Sequence, residues 1–380
     1  MNVGIQEMEH FEGVYPVIRL FDTGRNRLFL FVNKTVYHRL LDLFGEDANR
    51  FEWIIQQENE STHSFCRRIG RTVQENQVSL LYLNTVSKHH IFYARMLAKL
   101  KGVESVLTVH DVNCLFHEKF SLEPRRFARY LGKKWLTRCI SAFNTVSETV
   151  KPALAALAGK GKRVFTVPGA VYEKPGRFVP VGQGLEIVIP GSLDSKRRDY
   201  EQVFRLHEMT AGLPLNFTLL GGGKEDDAIA IRARCRSIGS GRLRWFDTGI
   251  VDQHIFDEEL DRAHFLWIPS VVDTRICGDI PEIYGITKSS GNIFDIIKHA
   301  KPFIYPETLC VQHELRSAGI SYNSLENLVY ELKLILETPG LYRKWATEAE
   351  RASRLFTIEK VRTKQYPLFE GRTGTSAASF

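Results

Sequence analysis

The stretch LEIVIPGSLDSKRRDY, residues 185–200, decides how the fold is read. A short β-branched run ends at a Pro-Gly turn, and a basic triplet, Lys196-Arg197-Arg198, then opens a helical pattern. Strand, glycine turn and helix in that order are the repeating step of a parallel α/β sheet. Downstream the step recurs at FTLLGGG (217–223), LRWFDTG (243–249), HFLWIPS (264–270), PFIYP (302–306) and ISYN (320–323). Upstream it recurs at RLFLFVN (27–33), FEWII (51–55), VSLLYLNTV (78–86), VESVLTVHD (103–111), ISAFNTVS (140–147) and RVFTVPG (163–169), each followed by a helical pattern. A first strand is placed at VGIQEM (3–8) on weaker patterning, and the chain beyond Ser324 reads as helical to about Phe356.

The expected architecture is α/β, two doubly wound Rossmann-like domains facing a cleft. The chain of 380 residues, 43% hydrophobic and 25% charged, suits two domains of ordinary size. The Pro/Gly-containing stretch 173–184 reads as the linker between a domain at 1–172 and another at 185–370, and 371–380 reads as a disordered tail. Parallel α/β sheets bind ligands beyond the carboxyl ends of their strands, so function is sought in the strand-end loops.

Net charge sharpens the division. Residues 1–177 carry 26 Lys+Arg against 17 Asp+Glu, which leaves 25 against 27 for the remainder, so the whole excess of +7 lies in the first half. A basic half fits an anionic partner or a merely solvated basic surface. Six cysteines without a C-x-x-C pair argue against a disulfide scaffold and a structural zinc site. No apolar run approaches the roughly 20 residues of a membrane span and the start lacks a basic-then-apolar signal, so a cytoplasmic chain, peripheral on the inner membrane face at most, is expected. The G-x-G-x-x-G, P-loop and H-E-x-x-H patterns are absent, which weakens dehydrogenase, P-loop and zincin readings. No Asp-x-Asp pair offers two carboxylates to a phosphate-bridging divalent ion, so no metal and no cofactor is expected.

Three segments of the second half carry candidate chemistry. Lys196-Arg197-Arg198 either gathers an anion, since bases at the positive end of a helix are otherwise unfavourable, or is a surface helix whose first turn happens to be basic. The glycines of LLGGGKEDD (219–227) permit either close approach of a ligand or a tight turn with positive φ. In EIYGITKSSGNIFDIIKHAKPFIYPE (282–307), Lys288, Ser289, Ser290 and the following helix start form either a pyrophosphate cradle or an ordinary serine cap. In the first half, 121–139 interleaves Arg125, Arg126, Arg129, Lys133 and Lys134 with Phe127, Leu131, Trp135 and Leu136, bases on one side of a helix and apolar groups on another. Such a helix either rests on anionic lipid and presents a lipid-linked acceptor, or packs into the core with a solvated basic face. Nucleic acid is disfavoured because no recognisable binding fold accompanies the bases.

In this order the segments resemble the retaining glycosyltransferases of the GT-B fold, family 4 (glycosyl transferases group 1), over about Leu81 to Glu337. LTVHDV (107–112) resembles the family's strand ending in His, and NTVSETVKPAL (144–154) and VPGAV (167–171) its later first-domain stretches. IPGSLDSKRRDY is similar to its Gly-Arg-Leu…Lys phosphate segment, FTLLGGG to its Leu-x-Gly-x-Gly turn and WIPS to its Pro-Ser strand end. EIYG with HAKPFIY is similar to its Glu-x-Phe-Gly…Gly-Lys-Pro pattern. The resemblance implies a sugar moved from a nucleotide-sugar donor, with retention, to a glycan or lipid-linked acceptor in bacterial surface polysaccharide assembly. It puts Arg197 in place of the lysine that clamps the donor diphosphate, helped by Lys196, Lys288, Ser289, Ser290, Gly222 and Gly223. Glu282 and His110 take the catalytic places, and Ser192, Gly249, Ile250, Tyr284 and Gly285 those facing the nucleoside and sugar. Ser192 stands where the family has a partner arginine, a charge left to Lys196 or Arg198 to supply, and Ser290 where it has a second glutamate that holds the ribose. The 11 residues between Ser270 and Glu282 are a longer loop than the family's, and Glu9–Gly13 replaces its glycine-rich first loop. A GT-B nucleotide-sugar epimerase and a non-catalytic nucleotide-sugar-binding subunit are the competing readings.

Overall fold

The structure, a computed structural model, describes residues 1–176 and 178–369, so the expected tail at 371–380 lies outside the described residues. Its described residues divide into two units, Met1–Ala170 with Ile358–Phe369, and Val171–Thr357.

The first unit is built on seven parallel strands: β1 (Asn2–Glu7), β2 (Arg27–Val32), β3 (Glu52–Ile55), β4 (Leu80–Leu83), β5 (Glu104–Thr108), β6 (Ala142–Thr145) and β7 (Arg163–Thr166). Their order is β3-β2-β1-β4-β5-β6-β7, so the winding reverses between β1 and β4. The weakly patterned β1 is therefore central, with Ile5 facing Leu30 on one side and Tyr82 on the other. Gly4 and Gln6 blur its pattern for packing reasons. A Cβ at Gly4 would stand 3.0 Å from the Phe31 ring and 3.1 Å from Leu81. The buried Gln6 amide donates to the Tyr93 hydroxyl at 3.3 Å.

The second unit has six parallel strands in the order β10-β9-β8-β11-β14-β15. They are β8 (Leu185–Pro190), β9 (Leu215–Leu220), β10 (Leu243–Trp245), β11 (Phe265–Trp267), β14 (Phe303–Pro306) and β15 (Gly319–Tyr322). A two-stranded antiparallel ribbon, β12 (Asp273–Thr274) and β13 (Glu282–Ile283), was not anticipated from sequence. The winding reverses between β8 and β11. Phe217, Phe265, Trp267, Tyr322 and Tyr342 fill the core, and the buried polar atoms of these rings find partners: Trp267 Nε1 donates to the Tyr322 hydroxyl, which donates to Gln202 at 2.8 Å.

Two boundaries differ from expectation. The described residues of 173–184 pack on the second unit, where the Pro180 carbonyl meets His264 Nε2 at 3.3 Å. The chain from Ile358 belongs to the first unit rather than to a 185–370 domain. There the Arg362 guanidinium donates to the carbonyls of Arg19, Leu20 and Asp22, closing the C-terminal end of the helix Phe11–Phe21, while Phe369 packs against Phe21.

The helix Pro124–Cys139 starts on Glu123, whose carboxylate accepts from the Arg125 and Arg126 amides. It crosses the helix His90–Leu97 at Gly132, where a Cβ would lie 2.8 Å from the Ile91 nitrogen. Alanine is the better helix former, but the neighbour here is backbone and cannot swing aside. Gly132→Ala is therefore expected to destabilise the protein by about 1–3 kcal/mol, read as a lower midpoint in urea.

Candidate functional site

The site is assembled at the switch point of the second unit, beyond the carboxyl ends of β8 and β11, where adjacent loops diverge. Gly191 follows β8 with φ 101°, and a Cβ there would meet the Arg198 guanidinium at 2.0 Å. Glycine thus serves both the left-handed backbone and the passage of an arginine. Arg198 is 8% exposed. Its terminal nitrogens donate to the Ser192 carbonyl at 3.0 Å and to Asn292 Oδ1 at 3.1 Å, and Asn292 Nδ2 donates to the Pro190 carbonyl at 2.9 Å. Among the described residues Arg198 Nε has no hydrogen-bond acceptor. The Arg198 guanidinium thus lies against the backbone of Ser192.

Arg197, to which the resemblance gives the clamp, is placed differently from Arg198. Arg197 Nε donates to Asp194 at 2.9 Å on a partly exposed turn, and Lys196 is exposed, its amide on the other Asp194 oxygen. The triplet does not open the helix either. It forms a turn, and Asp199 caps the helix Tyr200–Met209 by accepting from the Gln202 amide. The helix-dipole argument for an anion at Lys196 and Arg197 therefore falls, because these bases precede the cap instead of occupying the first turn.

The three glycines after β9 are explained by close approach, of backbone at Gly221 and Gly222 and of the Ala228 Cβ at Gly223, not by positive φ. A Cβ on Gly221 would meet the Gly191 carbonyl at 1.9 Å and one on Gly222 the Gly249 carbonyl at 2.3 Å. The Gly222 carbonyl accepts from the Leu193 amide at 2.9 Å, so Ser192, Gly222, Gly249 and the exposed Ile250 belong to one cluster of loops.

The third segment joins through Asn292. Glu282, 2% exposed, opens β13. The chain then turns at Gly285, where φ is 81° and a Cβ would collide with the Cys310 carbonyl, and Lys288 returns alongside Tyr284 with its ammonium 5.5 Å from the ring centroid. Lys288 and Ser290 are buried, and Ser289 Oγ is buried with no hydrogen-bond partner among the described residues. The helix Asn292–His299 begins at Gly291 without a side-chain cap, so the serine-cap reading is not what is found. The Ile293 and Phe294 amides, expected to be open to a ligand, already donate to the Ser290 and Gly291 carbonyls.

Behind Asn292 the same helix carries Asp295 and His299. Burial, outweighing Arg198, Lys298 and His299 nearby, pushes the Asp295 carboxyl up to about 6. Burial would lower the pKa of His299, but hydrogen bonds to Asp257 and Asp261 raise it. Burial disfavours the Asp257 carboxylate too, yet His299 and Lys298 hold its pKa down at about 2. A hollow of about 1160 Å³ over the helix Tyr200–Met209 contains none of Arg198, Glu282 or Lys288.

In the first unit, His110 follows β5 with its ring 6.2 Å from that of His10. The loop standing in place of a glycine-rich turn is organised by the buried Glu7, a residue the sequence reading passed over. Its carboxylate accepts from the amides of Met8, Glu9 and His10 and from Asn84. On the helix Pro124–Cys139 the sides are distributed differently from either expectation. Gly132, Leu136 and Lys133 face inward, and Lys133 donates to Glu118 and to the Cys114 carbonyl, so it is no part of an exposed basic face. Phe127, Leu131 and Trp135 are 38–41% exposed beside Arg125, Arg126, Arg129 and Lys134, with Phe120 and Leu122 exposed just before them. Among the described residues no helix is long and apolar enough to cross a membrane.

No protein-family model matches the chain, and no curated protein matches it by sequence. Solved structures do match. The chain is similar to a glycosyltransferase from Rickettsia africae ESF-5 at 12% identity and TM-score 0.69, covering 97% of each chain. It is similar to Anabaena Alr3699/HepE in complex with UDP and glucose at 13% identity and TM-score 0.68, covering 96% of this chain and 98% of that one. A UDP-GlcNAc 2-epimerase from Neisseria meningitidis, bound to UDP-GlcNAc, shares the fold at 10% identity and TM-score 0.57, covering 96% and 100%. The fold, two Rossmann-like α/β units each built on a parallel sheet, is thus one that GT-B glycosyltransferases and epimerases share.

Asp295 supplies a pH test. A carboxyl whose pKa rises from 3.8 to about 6 on folding contributes stability that is full below the unfolded value and is lost as pH rises through the folded one. Asp295→Asn should therefore raise stability at pH 8 by about 1–2 kcal/mol, less than the ~3 kcal/mol of a fully buried group. The gain should vanish near pH 4 in paired thermal melts.

Proposed function

We propose that the chain is a metal-independent, retaining glycosyltransferase resembling family 4, which moves a sugar from a nucleotide-sugar donor to a glycan or lipid-linked acceptor in bacterial surface polysaccharide assembly. The observation that carries the reading is Arg198, a buried guanidinium with an unused Nε at the switch point, in the same loop cluster as Lys288. Burying a guanidinium is costly, and a diphosphate offers compensating charge and an acceptor for the unused Nε of Arg198. Breaking a glycosyl–diphosphate bond develops negative charge on the β-phosphate oxygens. Arg198, Lys288 and Ser289 Oγ meet that charge, already oriented by the loops that hold them. Glu282 is proposed to face the sugar, Tyr284 and Gly285 to line its surroundings, and Ile250 with Gly222 and Gly249 to receive the nucleoside. His110 is kept as the catalytic candidate of the first unit. Ser290, in place of a charged ribose acceptor, leaves the choice of base to be determined by screening UDP-, GDP-, dTDP- and CMP-sugars for thermal stabilisation.

With the donor found, Arg198→Ala should weaken binding of its nucleoside diphosphate by about 1.5–3 kcal/mol, whereas Arg197→Ala should cost under about 0.5 kcal/mol. Slow nucleotide release from the donor, lost in Glu282→Gln and accelerated by acceptor, is the expected catalytic signature. An epimerised free sugar would replace transfer by epimerisation, and binding without turnover would make the chain a binding subunit.

The acceptor side is proposed to meet a bilayer through Phe120, Leu122, Phe127, Leu131 and Trp135, flanked by Arg125, Arg126, Arg129 and Lys134. Apolar groups at the surface with cations beside them match acyl chains beneath anionic headgroups. Co-sedimentation with vesicles should require anionic phospholipid, fade with salt and drop when Phe127, Leu131 and Trp135 are changed to serine. Binding to neutral vesicles that ignores salt would refute this contact.

A further inference from the structure

The insertion between Ser270 and Glu282 forms the middle of a three-layer ribbon. On one side it runs antiparallel to the basic turn: the Asp199 amide donates to the Pro269 carbonyl at 2.8 Å, Arg198 bridges Ser270, and the Val271 amide donates to the Arg197 carbonyl at 3.0 Å. On the other side it pairs with the carboxylate strand, Thr274 facing Glu282 and Asp273 facing Ile283, with the Tyr284 amide on the Val272 carbonyl at 2.9 Å. The insertion thus touches both the basic turn and Glu282 through its backbone. Thr274 is where the two sides meet. It is 4% exposed, its backbone is paired with Glu282, and its Oγ1 donates to the Lys196 carbonyl at 2.7 Å, continuing by side chain a ladder that main-chain pairing has left.

We propose that Thr274 is a positioning residue that fixes the distance between the cationic turn and the Glu282 carboxylate, so that the grip on a diphosphate and the placement of the carboxylate are set together. The inference rests on the glycosyl-transfer reading and names no contact of Thr274 with substrate. Loss of the hydroxyl takes this donor from the part-buried Lys196 carbonyl and loosens the link between the basic turn and β13, which then rests on the main-chain bonds of Asp199, Val271 and Tyr284 alone.

Calorimetric titration with UDP, GDP, dTDP and CMP tests it, using wild type, Thr274→Val and Thr274→Ser. Valine keeps the β-branched shape favoured in a strand, and serine restores the donor. For the nucleotide that wild type binds, Thr274→Val should raise Kd roughly three- to tenfold, the range of one hydrogen bond, and Thr274→Ser should return it to within about twofold. The KM for the matching donor should rise with it, and the rate at saturating donor should also fall. A merely structural role would lower the melting temperature without moving Kd or KM. Unchanged Kd and KM in Thr274→Val, with wild type binding normally, would overturn the positioning role of Thr274 alone, whereas no binding by wild type would overturn the glycosyl-transfer reading with it. Should the valine variant not fold, Thr274→Ala carries the same comparison.

Discussion

The guanidinium of Arg198 lies in the space that a side chain on Gly191 would fill, and the second unit's loops are arranged around that substitution of one residue's volume by another's charge. A cation so far from water is tolerated only where acceptors surround it. Here the Ser192 carbonyl and Asn292 supply them, and Asn292 also holds the last carbonyl of β8. One side chain therefore joins the end of β8, the basic turn and the start of the helix Asn292–His299. The same packing explains the glycines of the neighbouring loop, since Gly221 and Gly222 admit the backbones of Gly191 and Gly249 that carry this arrangement. These groups brace one another within the folded chain.

The two units solve the problem of their strand ends with opposite charges. In the second, glycines draw backbones together around a buried cation. In the first, a buried anion does the work: Glu7 collects three successive amides that a glycine-rich turn would leave open. The amides after β1 are thereby satisfied from within, and the basic excess of the first half is expressed elsewhere, on the outer side of the helix Pro124–Cys139. That helix can show aromatic groups to solvent because its contact with the rest of the unit is made by its smallest residue, Gly132, with Leu136 and the Lys133–Glu118 ion pair beside it.

The strands and their order along the chain were legible because a buried parallel strand leaves an uninterrupted β-branched or aromatic run, whatever it later pairs with. The exception proves instructive. β1 was faint because Gly4 and Gln6 answer to Phe31, Leu81 and Tyr93, residues brought beside it only by folding. The ribbon β12–β13 was invisible for a related reason, since two-residue strands have no period to detect. At the site, the convergence of the three segments followed from their shared position at strand ends.

What the sequence determined by itself was the alternation of strand and helix, the halving of the chain, the uneven charge and the set of segments that carry polar chemistry, because these are properties of neighbours along the chain. Which of three adjacent bases turns inward, which lysine of a basic helix is paired inside, which face of that helix meets solvent and where the residues after Ile358 pack were decided by tertiary structure. Lys196, Arg197 and Arg198 are nearly equivalent as text. They become different only when Asp194 takes one, water another, and the missing side chain of Gly191 leaves room for the third.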